Sequence, residues 1–303
     1  MDFKVRILGS NSALPAYGRH PSAQVLKYRD DIFLIDCGEG TQMRMDEAGV
    51  KKNRIKQIFI SHLHGDHFFG LFGLLQSYNL MHRSEPLQVI APLGIKEVVE
   101  CILNITGNPL NYPLELLELN HVGVKQIFEN RQLTVTAFPL EHRVPTYGYI
   151  FGEKKGKRNL DGALLDEYGV PGEEREKIRA GADYITSSGK VIKASAFVVE
   201  EEPARKYAYC SDTRPFEAQK EILTGVTTLY HEATFLEEDR ERAEKTMHTT
   251  SLQAALLALK VGVKKLIVGH FSSRYKDIDT IREEASTVFK ETYAAEEGEV
   301  FDI

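Results

Sequence analysis

One segment limits what this 303-residue chain can become: RIKQIFISHLHGDH, residues 54–67. It begins as a β-branched, apolar strand and runs straight into a polar turn. That turn packs three imidazoles and one carboxylate, His62, His64, Asp66 and His67, into six positions. Residues in a turn after a strand can point such groups into one volume, and imidazole with carboxylate suits zinc, or manganese, iron or cobalt. A lone histidine is ordinarily a satisfied core residue, whereas four donors at this density indicate a metal site at a strand end.

A single turn cannot complete two metal sites, so other ligands must come from elsewhere in the chain. The same signature recurs three times: His142 in FPLEHRVPTYGY, Asp212 in YAYCSDTRP and His270 in KKLIVGHFSSRY each close an apolar stretch. Each alone has a plain alternative, a turn aspartate or helix cap for Asp212. Their shared position at strand ends joins them into a set.

The flanking segments predict a layered α/β architecture. FKVRILG and DDIFLIDCGEG read as strands closed by glycine turns, FFGLFGLLQSYNLM has helical apolar spacing, LQVIAP returns as a strand, and IKEVVECILNIT reads as an amphipathic helix. The rhythm recurs after about residue 195: ASAFVVE, ARKYAYCSD, TTLYHEATF and KKLIVGHF read as strands and SLQAALLALKVG as a helix. Two halves of similar rhythm predict two packed sheets flanked by helices, without a residue-level repeat. Between them lies a charged, glycine-punctuated stretch, expected to be a surface insertion over 152–193. It reads either as a solvated loop with short helices or as a substrate arm whose Lys154, Lys155, Lys157 and Arg158 meet phosphates.

A composition of 42% hydrophobic and 27% charged residues allows a sizeable core. No apolar run approaches the roughly 18 residues of a membrane span, and MDFKVRILGSNSALP lacks a signal peptide's apolar stretch and cleavage site, so a soluble, cytoplasmic chain without membrane partners is expected. Cys37, Cys101 and Cys210 are too few and scattered for a disulfide framework. The net charge of −6 argues against a surface that binds nucleic acid everywhere, but leaves room for a local basic patch.

LGSNSALPAYGRHPSA, LIDCGEGTQ, SHLHGDHFFGL, SDTRP, HEATF, MHTTSLQAA and GHFSSRY together resemble the metallo-β-lactamase superfamily and, within it, ribonuclease Z, over nearly the whole chain. HEATF and the HTT triplet are specific to the latter. The resemblance implies an αββα four-layer sandwich spanning residues 1–303 with an inserted flexible arm, and two zinc ions per subunit. By similarity His62, His64 and His142 would hold the first zinc and Asp66, His67 and His270 the second, with Asp212 bridging both. It further implies an endoribonuclease that removes the 3′ trailer of precursor tRNA, leaving a 3′-hydroxyl on the tRNA and a 5′-phosphate on the trailer, and that works as a homodimer. Asp66 would be the general base, and His248, oriented by Glu232, would give a proton to the leaving oxygen. On the residues alone, His248 is equally a helix-flanking residue before the Thr249-Thr250-Ser251 cap region, and His231 reads as structural.

The chain departs from the family pattern at Phe72, where relatives carry proline, at Ser211, where they carry glycine, and in an arm without paired prolines. A hydrolase of small esters or phosphodiesters on the same fold is the rival reading, since fold and metals alone permit it. An RNA-binding protein with dead metal sites is a third, against which the full set of seven candidate ligands speaks.

Overall fold

The computed structural model describes residues 2–154, 158–199 and 203–303. The first half comprises β1 (Phe3–Gly9), β2 (Ala23–Tyr28), β3 (Asp31–Ile35), α1 (Thr41–Glu47), β4 (Ile55–Phe59), α2 (Gly65–Phe68), α3 (Gly70–Leu80), β5 (Leu87–Pro92), α4 (Ile95–Thr106) and β6 (Leu114–Leu119). Next come β7 (Lys125–Glu129), β8 (Leu133–Leu140), β9 (Thr146–Glu153), α5 (Gly162–Glu167), α6 (Gly172–Ala180), β10 (Tyr184–Ile185) and β11 (Val191–Ile192). The chain finishes with β12 (Lys206–Cys210), α7 (Gln219–Leu223), β13 (Thr228–Glu232), α8 (Arg240–Thr246), α9 (Ser251–Val261), β14 (Lys265–Gly269), α10 (Asp279–Ser286), β15 (Thr292–Ala294) and β16 (Val300–Asp302).

Two seven-stranded sheets form the centre, ordered β16-β1-β2-β3-β4-β5-β6 and β15-β14-β13-β12-β9-β8-β7. Each is antiparallel on one side and parallel on the other: β3 to β6 run parallel in the first, β12 to β15 in the second. Strand alternation builds the layers. Along β3, Phe33 and Ile35 enter the core shared by the two sheets, while Ile32 and Leu34 join a second core that also holds residues of α1, α3 and α4. Phe59 packs edge-on against Phe151 and Tyr149 across the sheets, at centroid distances of 5.2 and 5.3 Å. With both sheets buried on both faces, the result is the expected helix-sheet-sheet-helix sandwich.

Two expectations change here. ASAFVVE does not form a strand: Ala194–Phe197 is a 3₁₀ turn whose Phe197 is buried with Leu165, Val170, Ile178 and Ile192. Apolar residues with a strand-like composition thus supply a small separate core, which anchors the inserted segment. The insertion was expected over 152–193, yet Gly152 and Glu153 still pair within β9, and the chain re-enters the sheet at Lys206, opposite Gly152. The exit and return are clasped together, since Glu153 N–H donates to the Arg205 carbonyl (3.0 Å) and Arg205 Nη2 donates to Glu153 Oε1 (2.5 Å). Within the described residues the insert contains α5, α6 and the small β10–β11 pair.

Among the described residues no helix is long and apolar enough to cross a membrane. The three cysteines are free thiols, Cys37 and Cys210 buried and Cys101 exposed.

Candidate active site

Polar residues follow the ends of strands from both sheets. His62 and the rest of its turn follow β4, His142 follows β8, Asp212 follows β12, Glu232 ends β13 and His270 follows β14. The turn after β4 is held from behind. Tyr149 O–H donates to the Ile60 carbonyl (2.6 Å), and Cys37 N–H donates to the His67 carbonyl (2.7 Å). Glycine is required at position 38, because a Cβ there would lie 2.4 Å from the Asp66 carbonyl oxygen.

Two donor sets result. In the first, His62 Nε2 lies 3.0 Å from His64 Nδ1 and 3.5 Å from Asp212 Oδ2, and His142 Nε2 lies 3.7 Å from the same oxygen. In the second, His67 Nε2 lies 3.3 Å from His270 Nε2 and 3.5 Å from Asp66 Oδ2, with His270 Nε2 3.6 Å from that oxygen. The other oxygen of Asp212, Oδ1, faces this second set, 3.3 Å from His67 and 3.1 Å from His270. Donors about 2.0–2.1 Å from a tetrahedral zinc stand about 3.3 Å apart, so both sets have the spacing of ligands around an ion. These clusters could each hold a metal.

Electrostatics point the same way. Burial disfavours a charged His67 ring, yet Asp212, Asp66 and Asp36 together hold it well above the ordinary histidine range. Burial also opposes charge on Asp66 and Asp212, but the surrounding imidazoles keep both carboxylates well below their usual range. Burial pushes His62 down, leaving its ring neutral as a ligand must be. The buried carboxylates thus draw positive charge onto His67, and a bound metal cation would meet the same concentration of negative charge while leaving that ring neutral.

The residues around these donors fix their orientation. Asp36, fully buried, takes His67 Nδ1 at 2.7 Å, Ser61 N–H at 2.7 Å and Tyr209 O–H at 2.6 Å. The sequence reading gave it no role, although an aspartate closing the apolar strand in LIDCGEG carries the signal that selected Asp212. His142 Nδ1 meets the Met247 carbonyl at 3.1 Å, and His270 Nδ1 meets Thr234 Oγ1 at 2.9 Å. Such outer partners fix ring tautomer and direction. Asp36 and His270 adopt positive φ of 55° and 59°, unusual for residues other than glycine. At the departure Ser211, the side chain donates to Asp212 Oδ1 (3.1 Å), a bond glycine cannot make.

Beside the donor sets, His248 Nδ1 lies 2.8 Å from Glu232 Oε1. Glu232 is fully buried and also accepts from Thr213 N–H, Thr249 N–H and Thr234 Oγ1. Burial works against protonation of His248, but the Glu232 carboxylate prevails and pushes its pKa up to about 9. The HTT triplet divides its labour: His248 lines the cleft, Thr249 bonds Glu232 and the Thr213 carbonyl, and Thr250 caps α9 in a capping box with Gln253. His231 is buried between Gln219 Nε2 (2.8 Å) and the Glu232 carbonyl (2.7 Å), away from the donor sets.

A cavity of about 560 Å³ opens over these groups, lined by His64, Asp66, His142, Asp212, His248 and His270 on its polar side. Of the basic residues singled out in the insert, Lys154 and Arg158 do not line it. Lys154 pairs with Glu129 of β7, and Arg158 is exposed near Gly181, its carbonyl accepting from Arg179 Nε. Lys155 and Lys157 fall outside the described residues.

The fold and the paired donor sets define a metal hydrolase of metallo-β-lactamase architecture. The short form of human tRNase Z superposes over 99% of both chains with a TM-score of 0.74 at 25% identity, and the metallo-β-lactamase fold protein YhfI of Bacillus subtilis with a TM-score of 0.70 at 16%. Curated proteins named ribonuclease Z from Bacteroides fragilis and Porphyromonas gingivalis are 43% and 42% identical, covering 98% and 99% of this chain and 97% and 99% of their own length. The chain belongs to the ribonuclease Z family. The pattern of a family described as Anti-Pycsar protein Apyc1 also matches residues 3–155, a span that ends before Asp212, Glu232, His248 and His270.

Proposed function

We propose that this protein is a zinc-dependent endoribonuclease that removes the 3′ trailer of precursor tRNA, leaving a 3′-hydroxyl on the tRNA and a 5′-phosphate on the trailer. The observation that carries the reading is the Glu232–His248 pair, bonded at 2.8 Å beside two donor sets that share Asp212. Relatives named ribonuclease Z along the whole chain support it.

His62, His64 and His142 would hold one zinc, Asp66, His67 and His270 the other, and Asp212 both. Bound there, the ions would supply Lewis acidity and an acidified water. The protein's own groups then manage protons and orientation. Asp66 Oδ2 accepts the Ala13 N–H at 2.7 Å, which fixes the carboxylate that serves as general base. Glu232 engages Nδ1 of His248 and leaves Nε2 to deliver a proton to the departing 3′-oxygen, a poor leaving group without one.

The insert is the tRNA-holding arm in this reading. Lys154, Lys155, Lys157 and Arg158 contribute positive charge toward phosphates, contacts that position a substrate with little regard to base. A homodimer, with one subunit's arm presenting tRNA to its partner's cleft, and a cytoplasmic setting complete the proposal. Incubating the zinc-loaded protein with a precursor tRNA and, separately, a small phosphodiester tests it. Chelator-sensitive processing of the precursor supports the reading, and turnover of the small diester alone contradicts it.

A further inference from the structure

Two phenylalanines follow His67, and packing accounts for one of them. Phe68 is buried in the core behind the metal turn, while Phe69 is 62% exposed. Its ring lies over the Gly65 backbone so closely that a Cβ at position 65 would come within 2.4 Å of Cε2. Phe69 lines the same cavity as His64, Asp66 and His248, together with Pro15 and Leu14, which is also 62% exposed. Isolated apolar side chains on a protein surface need no explanation. An apolar wall inside a cleft whose polar lining includes imidazoles and carboxylates with Arg143 and Thr246 marks a site for a ligand with a flat apolar face beside a polar reacting group.

We propose that Phe69 is a stacking platform for the nucleobase adjoining the scissile phosphate. The inference rests on the ribonuclease reading above, under which the cleft receives an unpaired RNA segment. Unpaired bases are bound by stacking on aromatic rings, an interaction tolerant of base identity. The ring lines the cavity together with Asp66 and His248, so a base held on it brings its own phosphate to the reacting centre.

The test compares the zinc-loaded wild type with Phe69→Ala and Phe69→Tyr. Substrates are a precursor tRNA, two derivatives abasic on either side of the cut, and bis(p-nitrophenyl) phosphate. Phe69→Ala should lower kcat/KM on the precursor about ten- to a hundredfold, with Phe69→Tyr restoring it and the bound zinc of both variants unchanged. One abasic position should cost the wild type a similar factor and cost Phe69→Ala nothing further. Equal processing of the precursor by wild type and Phe69→Ala removes the stacking role and leaves the ribonuclease reading intact. Loss of bound zinc from Phe69→Ala also overturns it, because the ring would then merely support the metal turn. A wild type that hydrolyses the small diester but leaves the precursor uncut overturns both.

Discussion

Oε1 of the fully buried Glu232 lies 2.8 Å from Nδ1 of His248, which fixes the edge of the imidazole that faces the cleft. His248 comes close enough to Asp212 and His270 to form a third group that could hold a metal, but it belongs to neither of the two zinc sets proposed above, so proton delivery and metal binding should be separable by mutation. His248→Ala should retain both metals by elemental analysis while losing about two to four orders of magnitude in single-turnover cleavage. Full activity in that variant would remove His248 from the mechanism.

Asp36 lies one step behind the candidate ligands, bonded to His67. Asp36→Asn weakens the acceptor for His67 Nδ1, and metal affinity measured by competition with a chromogenic chelator should fall about 10- to 100-fold. Unchanged affinity would show that His67 needs no such partner.

The inserted segment should be removable. Its ends meet as neighbours in the antiparallel β9–β12 pair, so a turn of about two to four residues can replace 154–204. The shortened protein should melt as cooperatively as the parent but lose affinity for tRNA, with a shallower dependence on salt. Parental tRNA binding by the shortened protein would contradict the arm assignment.

Glu153 and Arg205 at the base of the insert give a pH signature. Burial raises the Glu153 carboxyl, but its bonds to Arg205 outweigh that and leave it below its ordinary value. A folded-state pKa below the unfolded one, about 4.3, stabilises the fold above that pH and ceases to do so as pH falls through the folded value. Arg205→Ala should therefore melt earlier than wild type at neutral pH, with the gap narrowing in acid. A gap that stays constant with pH would assign the effect to lost packing on Phe3 rather than to charge.

Much of this site was legible because its chemistry lies in residue types that strand interiors avoid. His142, Asp212 and His270 stand out where apolar stretches stop, and the structure brings them to the turn that holds His62 and Asp66. Asp36 carried the same signal but faces the back of a ligand, a distinction made by the three-dimensional path and not by local pattern. Helix boundaries such as Ile95–Thr106 followed from apolar spacing. The insert was harder: ASAFVVE has a strand's composition, but Phe197 is claimed by a small separate core built from residues distant in sequence. The insert was expected to begin at Gly152, yet that residue lies between Thr134 and Lys206 in the sheet.

The most direct measurement is the position and chemistry of the cut in a precursor tRNA carrying a 3′ trailer. The account predicts one chelator-sensitive cleavage beside the discriminator base, giving a tRNA that ends in a 3′-hydroxyl and a trailer that begins with a 5′-phosphate. A 2′,3′-cyclic phosphate on the tRNA, cleavage scattered along the trailer, or processing that persists without metal would contradict it.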